Sequence, residues 1–192
     1  MQRKTLLGGI AVILILGAIT TALYLNKKHT FHGSLIDPPS PAAEITLTDQ
    51  NGQPFQLSSL RGKIVLIYFG YTHCQDECPL TMGHLKEMMN FLGDQSKDLQ
   101  VVMVSTDPAR DTAQAMKGFL GKFNPDFIGL IGTPDELAKA WKDYGVTVLD
   151  NGETHSNFIY LVDRSGNLRL TFLPDSAPED EAADLRVFLA EK

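Results

Sequence analysis

The sequence predicts a mixed-sheet α/β domain flanked by helices, entered through a β-hairpin and preceded by a transmembrane helix. Three observations carry this. Two nearly continuous apolar runs of strand length, Ile64–Phe69 and Leu99–Val104, have the pattern of central strands covered on both faces. Segments with helical period or helix-start signals alternate with them. An uncharged run near the N-terminus is long enough to cross a bilayer.

That run extends from Thr5 to Leu25. At ~1.5 Å per residue its helix covers roughly the hydrocarbon thickness, so residues 1–26 read as a membrane anchor. Arg3 and Lys4 before it nearly balance Lys27 and Lys28 after it, and a signal-anchor with the long C-terminal part exported is expected. The alternative is a cleaved signal peptide, for which Thr20-Thr21-Ala22 is a poor cleavage site. Only Met1 to Lys4 precede the run, too little for a mitochondrial transit peptide, so the expected location is a bacterial inner membrane with the domain in the periplasm or another extracytoplasmic space. Residues 27–42 contain Pro38-Pro39-Ser40-Pro41 and no periodicity, and read as an extended tether that includes His29 and His32.

Residues 43–192 then form one domain, since a chain of 192 residues with 43% hydrophobic content builds one ordinary core. A formal charge of -6, with no Lys/Arg-rich run beyond the first thirty residues, excludes nucleic acid as a partner. Ile45 and Leu47, then Phe55 and Leu57, alternate with polar neighbours around the turn Asp49-Gln50-Asn51-Gly52, which predicts the entry hairpin. Leu80 to Leu92 has a helical period between the two central strands. Asp111 with Gln114, Thr133-Pro134 with Glu136, and Ser176 with Glu179 mark three further helix starts. Phe158–Val162 and Leu168–Phe172 flank Asp163-Arg164-Ser165-Gly166-Asn167, a second hairpin. Met88, Met89, Met103 and Met116 sit in apolar periodic stretches and read as core packing.

Chemistry concentrates at Cys74-Gln75-Asp76-Glu77-Cys78-Pro79, directly after the first central strand, where α/β folds place ligands. In an exported domain a cysteine pair is usually a structural disulfide, yet a domain of this size does not need one staple. If Cys78 opens the following helix, free backbone N–H groups favour thiolate there. Two soft thiolates suit Cu(I), and a C-x-x-x-C loop aims both at one ion without enclosing it. Structural zinc would want four closed ligands, and two cysteines with scattered histidines do not supply them.

Four collinear blocks go further: Tyr68-Phe69-Gly70-Tyr71-Thr72-His73-Cys74 with Cys78-Pro79, Ser105-Thr106-Asp107-Pro108 with Arg110-Asp111-Thr112, and His155-Ser156 before Ile159-Tyr160-Leu161-Val162-Asp163. Together they resemble the Sco/SenC family, in order, from about Ala43 to Asp163. The resemblance implies a thioredoxin-like fold, copper bound by two cysteines and a distant histidine, and help in assembling the copper A centre of cytochrome c oxidase. The implied ligands are Cys74, Cys78 and His155, with Cu(I) the expected state and Cu(II) left open. Gln75 stands where proline is commoner and Glu77 where an apolar residue is commoner, departures that bear on copper affinity or partner choice. His73 reads as supporting or structural and His84 as a helix-surface residue. Met82, four residues after Cys78, is either core or a weak thioether ligand, with core the simpler reading. Asp107 either tunes the site or forms the turn with Pro108.

The expected function is therefore copper delivery to an oxidase subunit or another copper protein, with a thiol reductant needed to keep the pair reduced. The rival is a thiol-disulfide oxidoreductase using Cys74 and Cys78 as its redox pair. Against it stand the three-residue spacing and the lack of a tryptophan before the first cysteine, the single tryptophan being Trp141. A cysteine peroxidase is the weakest reading, because the second cysteine sits so close.

Overall fold

The computed structural model describes residues 29–173 and 176–191, together with Gly17. Apart from Gly17, the expected anchor at residues 5–25 lies outside the described residues, and among those described no helix is long and apolar enough to cross a membrane. The chain divides into two units, Met1–Thr30 and Phe31–Lys192, and the second is the folded domain.

In chain order the domain comprises β1 (Ser34–Pro41), β2 (Thr46–Asp49), β3 (Pro54–Gln56), β4 (Ile64–Gly70), α1 (Glu77–Leu92), β5 (Leu99–Ser105), α2 (Ala113–Leu120) and β6 (Ile128–Ile131). Then follow α3 (Pro134–Asp143), β7 (Val148–Leu149), β8 (Thr154–His155), β9 (Ile159–Val162), β10 (Asn167–Phe172) and α4 (Pro178–Ala190). Among the described residues, eight strands form one mixed sheet in the order β1-β10-β9-β4-β5-β6-β2-β3, while β7 and β8 pair with each other and with no other strand. β4, β5 and β6 run parallel, and β9 returns antiparallel to β4. This is the expected mixed α/β architecture.

β4 is buried along its whole length because its alternate residues feed two cores. Ile64, Leu66 and Tyr68 pack with Met82, Leu85, Met88 and Phe188. Val65, Ile67 and Phe69 pack with Leu137, Ala140 and Tyr144 on the other face. α3 begins with the expected capping box, Thr133 accepting from the Glu136 backbone while the Glu136 carboxylate takes the Thr133 N–H. α2 starts one residue later than expected, on Thr112, because the Asp111 carboxylate is engaged elsewhere. α4 follows Ala177 with no side-chain cap, using Pro178 and three acids in its first turn instead of Ser176.

The tether at 27–42 is corrected. Ser34–Pro41 forms β1 and pairs antiparallel with β10, with a bulge between Leu35 and Ser40. An edge strand ladders on one side only, so its prolines are tolerated and its composition looks like that of a linker. Upstream of it, Phe31 stacks on Phe188 with centroids 5.3 Å apart, and the His32 and Gly33 amides donate to Asp184 Oδ2 at 2.8 and 3.0 Å. The folded domain therefore begins at Phe31, and His32 belongs to it.

His84 is also corrected, from helix surface to a half-buried position between α1 and α4, with Nε2 2.8 Å from Glu181 Oε2. The hydrogen bond to Glu181 raises His84 above the ordinary imidazole value of 6.5, and burial raises Glu181. Both shifts mean that the folded state holds a proton at this pair more tightly than the unfolded chain does. The His84 contribution is complete below a pH of 6.5 and is lost as pH rises through its raised folded value, while that of Glu181 is complete only below 4.5 and is lost as pH rises through its own raised value. Thermal midpoints should accordingly fall between about pH 6 and pH 8, and His84→Gln should flatten that slope. Parallel slopes in wild type and variant would count against the pair.

Candidate metal centre

The site lies past the carboxyl ends of β4 and β5. Gly70 closes β4 where no side chain fits, since a Cβ there would meet Tyr68 Cε1 at 2.6 Å and Cys78 Sγ at 3.0 Å. The loop that follows is pinned by Asp111, whose fully buried carboxylate accepts from Thr72 N at 3.0 Å, Thr72 Oγ1 at 2.7 Å and Ser105 Oγ at 2.6 Å. α1 opens at Glu77, ahead of the periodic stretch Leu80–Leu92 and one residue before Cys78, the helix start weighed from the sequence.

Cys74 and Cys78 are both free thiols, the first half-buried and the second buried. The Cys78 N–H donates to Cys74 Sγ at 3.4 Å, and Tyr68 Oη donates to Cys78 Sγ at 3.5 Å. Their environments split the pair. Burial pushes Cys78 up to about 12, so the expectation of an easily formed thiolate there is corrected: desolvation outweighs the hydrogen bonds from the Tyr71 backbone and the Tyr68 hydroxyl that pull the other way. At Cys74 burial also raises the thiol, yet the backbone N–H groups of Cys78 and Asp76 together bring it below the ordinary thiol value. The helix-start amides thus act on Cys74. Tyr71 is pushed up to about 12 by burial and by its bond to Cys74, which keeps it a hydrogen-bond donor at neutral pH.

His155 reaches the site from β8, half-buried, with Nε2 3.9 Å from Cys78 Sγ. Its Nδ1 lies 3.1 Å from the Ser156 carbonyl oxygen. A carbonyl only accepts, so Nδ1 donates to it, and Nε2 is the ring nitrogen that faces the sulfur. The ring sits against Tyr68 and Tyr71, edge to face, with centroids 6.2 and 5.9 Å away. The three sequence-predicted residues therefore come together at one point, below a cleft of about 640 Å³.

The other candidates fall outside this cluster. His73 is exposed and its Nδ1 lies 3.1 Å from Thr72 Oγ1, a supporting position. Met82 is buried in the core, as its simpler reading had it. Asp107 is buried at the same sheet edge and paired with Arg110. Of the two departures, Gln75 is exposed in the cleft, whereas Glu77 accepts from Asn157 Nδ2 at 3.0 Å and ties the start of α1 to the chain just after His155. Tyr68, Tyr71 and Glu153 were not singled out from the sequence; the tyrosines lay inside a quoted block, and Glu153 carries no local signal.

The SCO1/SenC family pattern matches residues 36–190. The chain belongs to that family. A SCO2-like protein of Rickettsia conorii is 34% identical over 152 residues, covering 74% of each chain. Among solved structures, Bradyrhizobium japonicum ScoI with copper bound is 37% identical with a TM-score of 0.71, covering 78% of this chain and 99% of that one. Yeast Sco1 with copper bound is 30% identical with a TM-score of 0.71, covering 80% of this chain and 91% of that one. The Sco domain here accordingly has the fold of those proteins, a thioredoxin-like one.

Proposed function

We propose that this Sco domain holds one copper ion through Cys74, Cys78 and His155 and delivers it to the copper-bearing subunit of cytochrome c oxidase or to another copper protein, on the exported side of the membrane in which residues 5–25 anchor it. The observation that carries the reading is the approach of His155 Nε2 to Cys78 Sγ, 3.9 Å, beside a second free thiol. Two soft sulfurs suit Cu(I), and an imidazole nitrogen serves either oxidation state. The copper-bound relatives support the same metal.

The roles of the three donors follow from their surroundings. Cys74, with its lowered thiol, is the first sulfur to lose its proton and faces the cleft. Cys78 gives up its proton as the copper ion takes its place, because burial disfavours a bare thiolate. His155 offers Nε2 from a separate segment. None of the three encloses the cargo, so a partner's ligands can replace them one at a time from the cleft side.

The full chain in detergent micelles, reduced and given Cu(I) without oxygen, should hold one copper per chain, and resistance of the chain to alkaline extraction from membranes tests the anchor. No copper on fully reduced protein would move the reading to thiol-disulfide exchange. One observation favours that second reading: the half-buried cysteine has the lowered thiol and the buried one the raised thiol, as in an attacking and a resolving cysteine. Cys74 thiolate would attack a partner disulfide and expel one partner thiolate. Cys78, passing its proton to the partner thiolate just expelled, would then attack Cys74 and release the second thiolate, which takes a proton from water, leaving the partner as a dithiol and this pair as a disulfide for an external dithiol to reduce. Turnover that needs both cysteines and is indifferent to His155 would establish it.

A further inference from the structure

The block Ser105-Thr106-Asp107-Pro108 with Arg110-Asp111-Thr112 supplies no donor to the metal centre, yet the loop it forms touches both halves of it. Asp111 pins the cysteine loop, as described above. The histidine half needs a support of its own, because β7 and β8 make a ladder of only two residue pairs and join no other strand. Two pairs are too few to fix an imidazole in place.

On the side after His155 the Asn157–Glu77 bond supplies it, and on the side before it the support comes from residues 106–110. Thr106 Oγ1 donates to the Gly152 carbonyl at 3.1 Å, and Gly152 comes so near that a Cβ on it would lie 2.1 Å from the Thr106 oxygen. Arg110 Nη2 lies 2.9 Å from Glu153 Oε1, two residues before His155. The Nε of the same guanidinium pairs with the buried Asp107 carboxylate, which also takes the Arg110 backbone N–H at 3.2 Å. The guanidinium lies over the Tyr71 ring, 5.7 Å from its centroid, and that ring packs against His155. Arg110 thus reaches the histidine segment twice, through Glu153 and through Tyr71.

We propose that Arg110 is a positioning residue of the metal centre: anchored by the buried Asp107 carboxylate, it grips Glu153 and holds the His155 hairpin against the cysteine sulfurs. This rests on the reading of Cys74, Cys78 and His155 as copper ligands. Without the grip, the two sulfurs still hold Cu(I), whereas Cu(II), which favours nitrogen donors, loses the imidazole. Arg110 therefore acts on Cu(II) retention more than on Cu(I) uptake.

The test uses the full chain in detergent micelles with Arg110→Gln, Glu153→Gln and the double variant. Glu153 is exposed, so its substitution leaves the core intact. Deuterium uptake by residues 148–156 is read in the reduced, metal-free protein, with α1 as internal control. Loss of Cu(II) to a chelator is followed through the copper-thiolate absorption band. Glu153→Gln should speed hairpin exchange and Cu(II) loss about threefold, the scale of a partly exposed ion pair, Arg110→Gln at least as much because it also leaves Tyr71, and the double variant should add nothing to Arg110→Gln. Unchanged hairpin exchange in both single variants would overturn the proposal, as would faster exchange with Cu(II) loss unaltered. If wild type takes up no copper, the delivery reading fails separately, and the exchange measurement alone decides whether Arg110 holds the hairpin.

Discussion

Cys78→Ser is expected to abolish stoichiometric copper uptake while leaving a cooperatively folding domain. The substitution is nearly isosteric at a position with no exposed surface, and Tyr68 Oη, which donates to the sulfur, can donate to a serine hydroxyl instead. Stability therefore changes little. Copper affinity should fall by more than about a hundredfold, beyond the ~10–100-fold typical when only an outer partner of a ligand is lost. Cys74→Ser should do the same. His155→Ala should spare part of the Cu(I) affinity, since two sulfurs remain, and remove most of the Cu(II) affinity. An anaerobic titration against a competing chelator reads all three, and unchanged copper stoichiometry in every variant would sink the ligand assignment.

Asp111→Ala is expected to destabilise the domain by about 3 kcal/mol, because three donors lose a fully buried acceptor at once and unmade buried bonds cost roughly 1–3 kcal/mol each before water relaxes the loss. Asp111→Asn should fall between, since its amide oxygen still accepts. The same change frees Thr72, two residues before Cys74, so copper affinity should drop together with stability. Urea denaturation measures the first effect. A loss below about 0.5 kcal/mol, the range of ordinary surface substitutions, would show that Asp111 does not pin the cysteine loop.

The central strands, the capping box at Thr133 and the cysteine loop were legible in the sequence because each carries a local pattern: an apolar run, a fixed spacing, a position after a strand. His155 was legible only through the ordered blocks around it. Much of the rest depends on contacts between distant residues. β7 and β8 are two residues each, too short for any periodicity, and nothing in Glu153 announces Arg110, 43 positions earlier. Asp111 reads as a cap until Thr72 and Ser105 compete for its carboxylate. The thiol of Cys78 illustrates a balance of magnitudes, since burial opposes the hydrogen bonds from the Tyr71 backbone and the Tyr68 hydroxyl, partners that only the folded chain brings to it, and burial wins.

The proline-bearing strand β1 has one more consequence. Pro38, Pro39 and Pro41 lack the N–H groups that another β-chain would need, and β3 at the opposite border is three residues long and opens with Pro54. Both borders of the sheet are thereby closed to zipper-like annealing. The proposed delivery of copper by brief contact would gain from this: neighbours are kept from annealing onto the flanks, and contact is left to the reactive end.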